Sequence, residues 1–182
     1  MQTSTAQFAN PAAPPETLDH GGALLRMSVG EQPLAVPIDR VREILQVLRM
    51  TPLPRTPAFV RGVMNLRGSV VPVIDLAARL GLPATEIGRR SCIVVVQITD
   101  NTEDNEAPAT GTAMGLLVDA VFEVFERGSG DIEPAPLMGT DIAPEHLLGM
   151  TRADGRLIGV LALEHVLAAP DLAAAIAGFQ PH

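Results

Sequence analysis

Prolines and glycines punctuate this chain twice in the same rhythm, and that repeat limits the folds open to it. Pro57…Gly62…Gly68 recurs without a gap as Pro144…Gly149…Gly155, 87 residues later. The apolar residues that follow coincide too: Val70-Val71 with Leu157-Ile158, Leu76 with Leu163, Leu80 with Leu167. Upstream, Ile38-Asp39-Arg40-Val41-Arg42-Glu43-Ile44 lines up with Val118-Asp119-Ala120-Val121-Phe122-Glu123-Val124, 80 residues on. Two matches in the same order point to duplication, with each half one strand–turn–strand module. Many short strands must close on themselves or stack to hide their edges. Two small β-barrels sharing a core meet that demand.

The first module is the more informative. GVMNL and VVPVI flank Arg67-Gly68-Ser69, where glycine takes the positive φ that a hairpin turn requires. Asp75 stands at an N-cap position before LAARL, and Gly81 where a C′ residue belongs. The second tip, Arg152-Ala153-Asp154-Gly155, is ordinary turn chemistry. The first, Asn65-Leu66-Arg67-Gly68, puts an amide and a guanidinium where a turn has no need of them. That tip is suited to gripping a partner.

Elsewhere, ALLRMSV, the GEQP turn and LAVPI make a first hairpin. Val41, Ile44, Leu45 and Leu48 fall at helical spacing after Asp39, so a strand passing into a helical turn is expected, a continued strand being the alternative. Pro52, Pro54 and Pro57 impose an extended connection. Cys92–Ile98 reads as a buried strand, TDNTEDNEAPATGT as a solvated acidic loop, and AMGLLVDAVFEVF as one long strand. Residues 1–22 read as a disordered tail, 23–168 as the folded domain with halves of about 23–90 and 91–168, and 169–182 as a short tail or helix.

Composition removes several function classes. Of 182 residues, 21 are acidic and 13 basic, a net charge of −8 that disfavours nucleic acid. Aromatics are 3%, five Phe with no Trp or Tyr, so stacking platforms are scarce. A lone Cys92 fits a reducing compartment and reads as a buried strand thiol. No basic n-region precedes Arg26, and no apolar run reaches the ~18 residues of a membrane span. A cytoplasmic protein with no direct membrane insertion is expected. His20, His146, His165 and His182 lack metal-ligand spacing, and the Asp39/Glu43 and Asp119/Glu123 pairs read as a cap plus a solvated or ion-paired Glu. The acidic run Glu103–Glu106 lacks a calcium loop's alternation and central glycine. Nucleophile elbows, Walker loops and dinucleotide motifs are missing. Neither an enzyme nor a cofactor or metal site is expected.

FVRGVMNLRGSVVPVIDL resembles the signature of the CheW family, proteins that join chemoreceptors to the CheA histidine kinase. PIDRVREIL, MGLLVDAVFEVF and HLLGMTRADGRLIGVLALEHVL resemble further elements of that family in order, from about Ala23 to Leu167. The resemblance implies a mainly β fold, two five-stranded SH3-like β-barrels packed on a hydrophobic seam with a few short helices. The head, the acidic loop and the Ala-rich tail depart from the family pattern, and no receiver domain is attached as in CheV-like forms.

The resemblance also implies a function: a non-enzymatic adaptor between the cytoplasmic tip of a methyl-accepting chemoreceptor and the regulatory domain of a CheA-type kinase. Val41, Glu43, Ile44, Gly62, Val63, Asn65, Leu66 and Arg67 would then form the receptor-binding groove, with Glu43 and Arg67 ion-paired beside it. From the residues alone that pair is equally a structural bridge. Kinase contacts are not identified; Phe122 and Phe125 are candidates, pointing to opposite faces by strand alternation. A small-molecule-binding β-barrel sensor is the alternative, and it requires a polar-lined cavity where the interior positions are aliphatic.

Overall fold

The computed structural model describes residues 22–98, 112–126, 132–134 and 141–167. The expected disordered head, acidic loop and C-terminal tail lie outside them. The described chain runs β1 (Ala23–Val29), β2 (Gln32–Pro37), β3 (Val41–Gln46), β4 (Val60–Leu66), β5 (Ser69–Asp75), α1 (Leu76–Arg79), β6 (Cys92–Ile98), β7 (Thr112–Val118), β8 (Ala120–Glu126), β9 (Leu147–Ala153), β10 (Arg156–Leu161) and α2 (Leu163–Leu167). Ten strands form two five-stranded sheets, ordered β8-β1-β2-β10-β9 and β3-β6-β7-β5-β4.

The repeat in the sequence is a repeat in topology. Replacing β3, β6, β7, β5 and β4 by β8, β1, β2, β10 and β9 converts one sheet order into the other. Both contain one parallel contact, β5 with β7 and β10 with β2. The sheets do not divide the chain near residue 90, however. One is contiguous, β3 to β7; the other unites β1 and β2 with β8, β9 and β10. The parallel partner of β10 comes from the start of the chain, so neither half completes a sheet alone.

Three apolar clusters hold this arrangement. The largest lies between the sheets, with Leu25, Met27, Leu34 and Val36 on one side and Ile74, Val94, Val96, Leu116 and Val118 on the other. Each sheet also curls around its own interior: Met64, Val71, Val73, Ile93, Val95 and Leu117 in one, Leu24, Ala35, Ile158 and Val160 in the other. Strand β6 serves both faces, Val94 and Val96 toward the seam and Ile93 and Val95 toward the interior. That accounts for its unbroken apolar run. The hydrogen-bonded ladders stay open between β3 and β4 and between β8 and β9.

Two expected elements differ. AMGLLVDAVFEVF is two strands, β7 and β8, in different sheets, parted at Asp119. The chain changes sheets at the matching place earlier, through the 3-10 turn Ile38–Arg40 that holds Asp39. Asp119 Oδ2 accepts from the Gly30 N–H at 2.6 Å, which ties that crossing to the β1–β2 turn. The second difference is the helical turn after Val41, which is strand instead. Pairing slips between Val41 and Glu43, so Val41 opposes Val96 and Ile44 opposes Val94. A bulge puts residues three apart on one face and so imitates helical spacing. Cys92 is half-buried, its Sγ donating to the Arg90 carbonyl at 3.3 Å.

Candidate functional site

The β4–β5 hairpin is built as its sequence requires. Leu66 pairs with Ser69, leaving Arg67 and Gly68 as a two-residue turn at φ 52° and 85°, the backbone of a type I′ hairpin. Asn65 Oδ1 accepts from the Gly68 N–H at 3.0 Å. The amide therefore does serve the turn, a role the tip's sequence did not disclose. Asp75 caps α1 through the Ala78 N–H, and Gly81 follows at φ 83°.

Arg67 crosses from this tip to the opposite edge of its sheet. Its Nη1 and Nη2 donate to Glu43 Oε1 and Oε2 on β3 at 3.0 and 2.9 Å. A planar fork on a carboxylate is the strongest form of such a pair. The guanidinium is 77% exposed and the carboxylate 23%, so the bond contributes only about 0–1 kcal/mol to stability. It does join the two strands whose ladder is open.

The other expected groove residues separate into two kinds. Ile44 on β3 is 42% exposed, and Asn65 on β4, at the other edge of the same sheet, is exposed as well. Val41 and Leu66 are half-buried, packed against the seam and the interior respectively. Val63 is buried, exchanging both backbone hydrogen bonds with Thr51 at 2.8 and 2.9 Å. Gly62 closes the slip in pairing that begins at Val60, at φ 139°, and a Cβ there would meet the Thr51 carbonyl. Gly62 and Val63 are thus buried, which leaves Ile44, Asn65 and Arg67 as the exposed members of the expected set.

At the base of the hairpin lies a buried network that the sequence reading missed. Asp75 is fully buried and accepts from Arg61 Nε and Nη2 at 3.1 and 3.0 Å, and from the Thr85 N–H and hydroxyl at 2.8 and 2.9 Å. Arg61 also donates to the Thr85 carbonyl. The signal was present: a charge in the apolar strand VRGVMNL needs a partner, and Asp75 is the carboxylate of the strand that pairs with it.

The two phenylalanines part as alternation requires. Phe125 packs into the β8–β9 sheet's interior. Phe122 is 39% exposed and lies between the Arg26 and Arg90 guanidiniums, 4.9 and 5.1 Å from its centroid. Arg26 Nε also lies 3.1 Å from Glu123 Oε1. Among the described residues no His, Cys, Asp and Glu cluster is placed to hold a metal, and no helix is long and apolar enough to cross a membrane.

Two open five-stranded sheets, a shared seam and a clamped NLRG hairpin coincide with one family. Residues 23–171 match the CheW-like domain. The chain belongs to the CheW family. It is 36% identical to the chemotaxis protein CheW of Rhizobium meliloti over 87% of this chain and 96% of that one. Protein FrzA of Myxococcus xanthus is 39% identical over 70% and 72% of the two chains. Among solved structures, the scaffolding protein TtCheW from Thermoanaerobacter tengcongensis superposes with a TM-score of 0.71 at 30% identity, covering 83% of this chain and 95% of that one. As a CheW-family member the chain is an adaptor of chemotaxis-type signal transduction.

Proposed function

We propose that this adaptor acts in the cytoplasm, holding the tip of a methyl-accepting chemoreceptor in the groove at β3 and the β4–β5 hairpin and a CheA-type kinase elsewhere on its surface. The observation that supports this reading most is the Glu43–Arg67 clamp. A solvent-facing pair of small energetic value bridges two sheet edges and fixes the tip beside exposed Ile44. A helix laid against it meets an apolar trough with a polar register mark, as in helix-in-groove recognition. Val41, Asn65 and Leu66 complete the trough, and Gly62 and Val63 set its depth. Both sheet interiors are filled with apolar side chains, which suits docking on the outside. For the kinase, Phe122 is the surface candidate and Phe125 a core residue. Receptor state then biases the kinase through differences in binding free energy, with no chemistry by the adaptor itself.

The test is reconstitution with receptors and CheA-type kinase of the same host, reading kinase phosphorylation. Receptor-dependent activation is expected with the wild-type chain and is lost in Arg67→Ala, while the thermal midpoint barely moves. A large drop in midpoint would make the clamp structural instead, and no binding to receptor or kinase would reject the coupling role.

A further inference from the structure

The chain's positive charge is concentrated at one place. Between residues 41 and 70 there are five arginines and one carboxylate, a net of +4 inside a protein of −8, leaving −12 on the remainder. Two of the five are engaged, Arg61 with Asp75 and Arg67 with Glu43. Arg42, Arg49 and Arg55 are exposed, and none has an ion-pair partner among the described residues. Unpaired cations in an acidic protein are a departure from what self-neutralisation would produce.

Their setting gives them direction. After β3 the chain crosses from one open edge of its sheet to the other, where Thr51 bridges to Val63 on β4. On that crossing Val47 and Met50 pack into the sheet interior, and Leu48 and Arg49 between them are exposed. Leu48 is 40% exposed, Ile44 42% and Val70, opposite Asn65, 38%. Three exposed aliphatic side chains and three unpaired arginines therefore fall within one stretch, residues 42–70, that runs from β3 through the crossing and the turn after it to the hairpin. Arg55 stands in the following turn at φ 59°, a conformation that an arginine adopts at some cost.

We propose that this strip selects its occupant by charge: the receptor segment that docks here is a helix whose apolar stripe is flanked by carboxylates, which Arg42, Arg49 and Arg55 meet. The inference rests on the receptor-docking reading above and gives that partner its chemistry. An anionic lipid surface or a nucleic acid is disfavoured, because an extended polyanion would also face the −12 remainder. A short acidic helix faces only the strip. Such rim charges act mainly on the association rate and its salt dependence, and the arginines leave the groove's apolar contacts to set how long the partner stays.

The experiment measures affinity and association rate of the full chain for a soluble cytoplasmic fragment of the host receptor, between ~50 and ~200 mM salt. Variants are Arg42→Glu, Arg49→Glu, Arg55→Glu, the triple reversal, and Arg152→Glu on the other sheet as control. Each strip reversal is expected to weaken binding about two- to ten-fold at low salt, through slower association, with the loss shrinking as salt rises. Arg152→Glu is expected to be silent, and thermal midpoints unchanged. Wild-type binding that is insensitive to salt and to the triple reversal would overturn the charge selection and leave the docking reading intact. No wild-type binding to the fragment overturns both. Arginine-dependent binding to phosphatidylethanolamine vesicles containing phosphatidylglycerol, in place of the fragment, would overturn the assignment to a helix.

Discussion

The β4–β5 and β9–β10 hairpins share a backbone and almost nothing at their tips. In each, a two-residue turn sits in the left-handed region, Arg67-Gly68 at φ 52° and 85°, Asp154-Gly155 at 50° and 74°. In each, pairing slips at a glycine, and the next residue bridges to an outlying strand segment, Val63 to Thr51 and Met150 to Glu133. Yet Asp-Gly is natural turn chemistry, whereas an arginine in that conformation is disfavoured by about 1 kcal/mol. Arg67 reaches Glu43 from there. Its counterpart Asp154 faces a sheet whose matching residue is Glu123, a like charge, and Glu123 turns to Arg26 instead. The two hairpins repeat one geometry, and different side chains at equivalent positions distinguish a clamped edge from an unclamped one.

The largest effect that can test this comparison lies under the first hairpin. Asp75 has Ala162 as its counterpart, and Arg61 has Leu148. The second hairpin keeps its slipped pairing with neither charge, so the network is an addition to the shared backbone. Asp75→Ala should therefore destabilise by about 3–5 kcal/mol, since it leaves Arg61 and the Thr85 donors unmatched. Urea unfolding measures it, and a loss under 1 kcal/mol would make the network incidental. Next come the paired glycines. Gly62→Ala and Gly149→Ala should each cost about 1–3 kcal/mol, and unequal costs would show that the equivalence is only approximate. Smaller still is exchange of the tips. Arg67→Asp should cost less than about 1 kcal/mol in stability while abolishing receptor-dependent kinase activation. Asp154→Arg should gain no clamp, because Glu123 is already engaged; a crystal structure of that variant would show the contact or its absence.

The smallest effect is one of pH. His146 occupies the place of Phe59. Burial first, then the Arg79 charge and that of His165, hold its pKa below the ordinary 6.5, with Glu145 opposing. The neutral form is thus favoured by folding. Its contribution is complete above the unfolded value of about 6.5 and is lost as pH falls toward the depressed folded value. His146→Phe should flatten stability between pH 7 and 5, as read by thermal midpoint.

Much of this was legible in the chain itself, for physical reasons. Turns and caps announce themselves locally, so Asp75, Gly68 and Gly81 stand where their chemistry predicts. The Glu43–Arg67 contact was what the family resemblance implied, and the two side chains do meet. What stayed hidden depends on bulges and on changes of sheet. The slip at Arg42 made a strand imitate a helix. Nothing in AMGLLVDAVFEVF marks Asp119 as a crossing except its repeat at Asp39. Asn65 looked surplus to the turn because an amide's reach to a backbone N–H three residues on is set by the turn conformation. Arg61 was overlooked although a charge within the apolar strand VRGVMNL calls for a buried partner.

The interleaved sheet also has a consequence in time. During synthesis β1 and β2 leave the ribosome first but find no complete sheet until β8, β9 and β10 arrive, whereas β3 to β7 can pair as they emerge. Such long-range pairing is the slow part of folding. We expect chains stalled after β7 to protect the contiguous sheet from protease while β1 and β2 are cut. The nascent adaptor would then carry its Glu43–Arg67 clamp before the rest of the molecule exists.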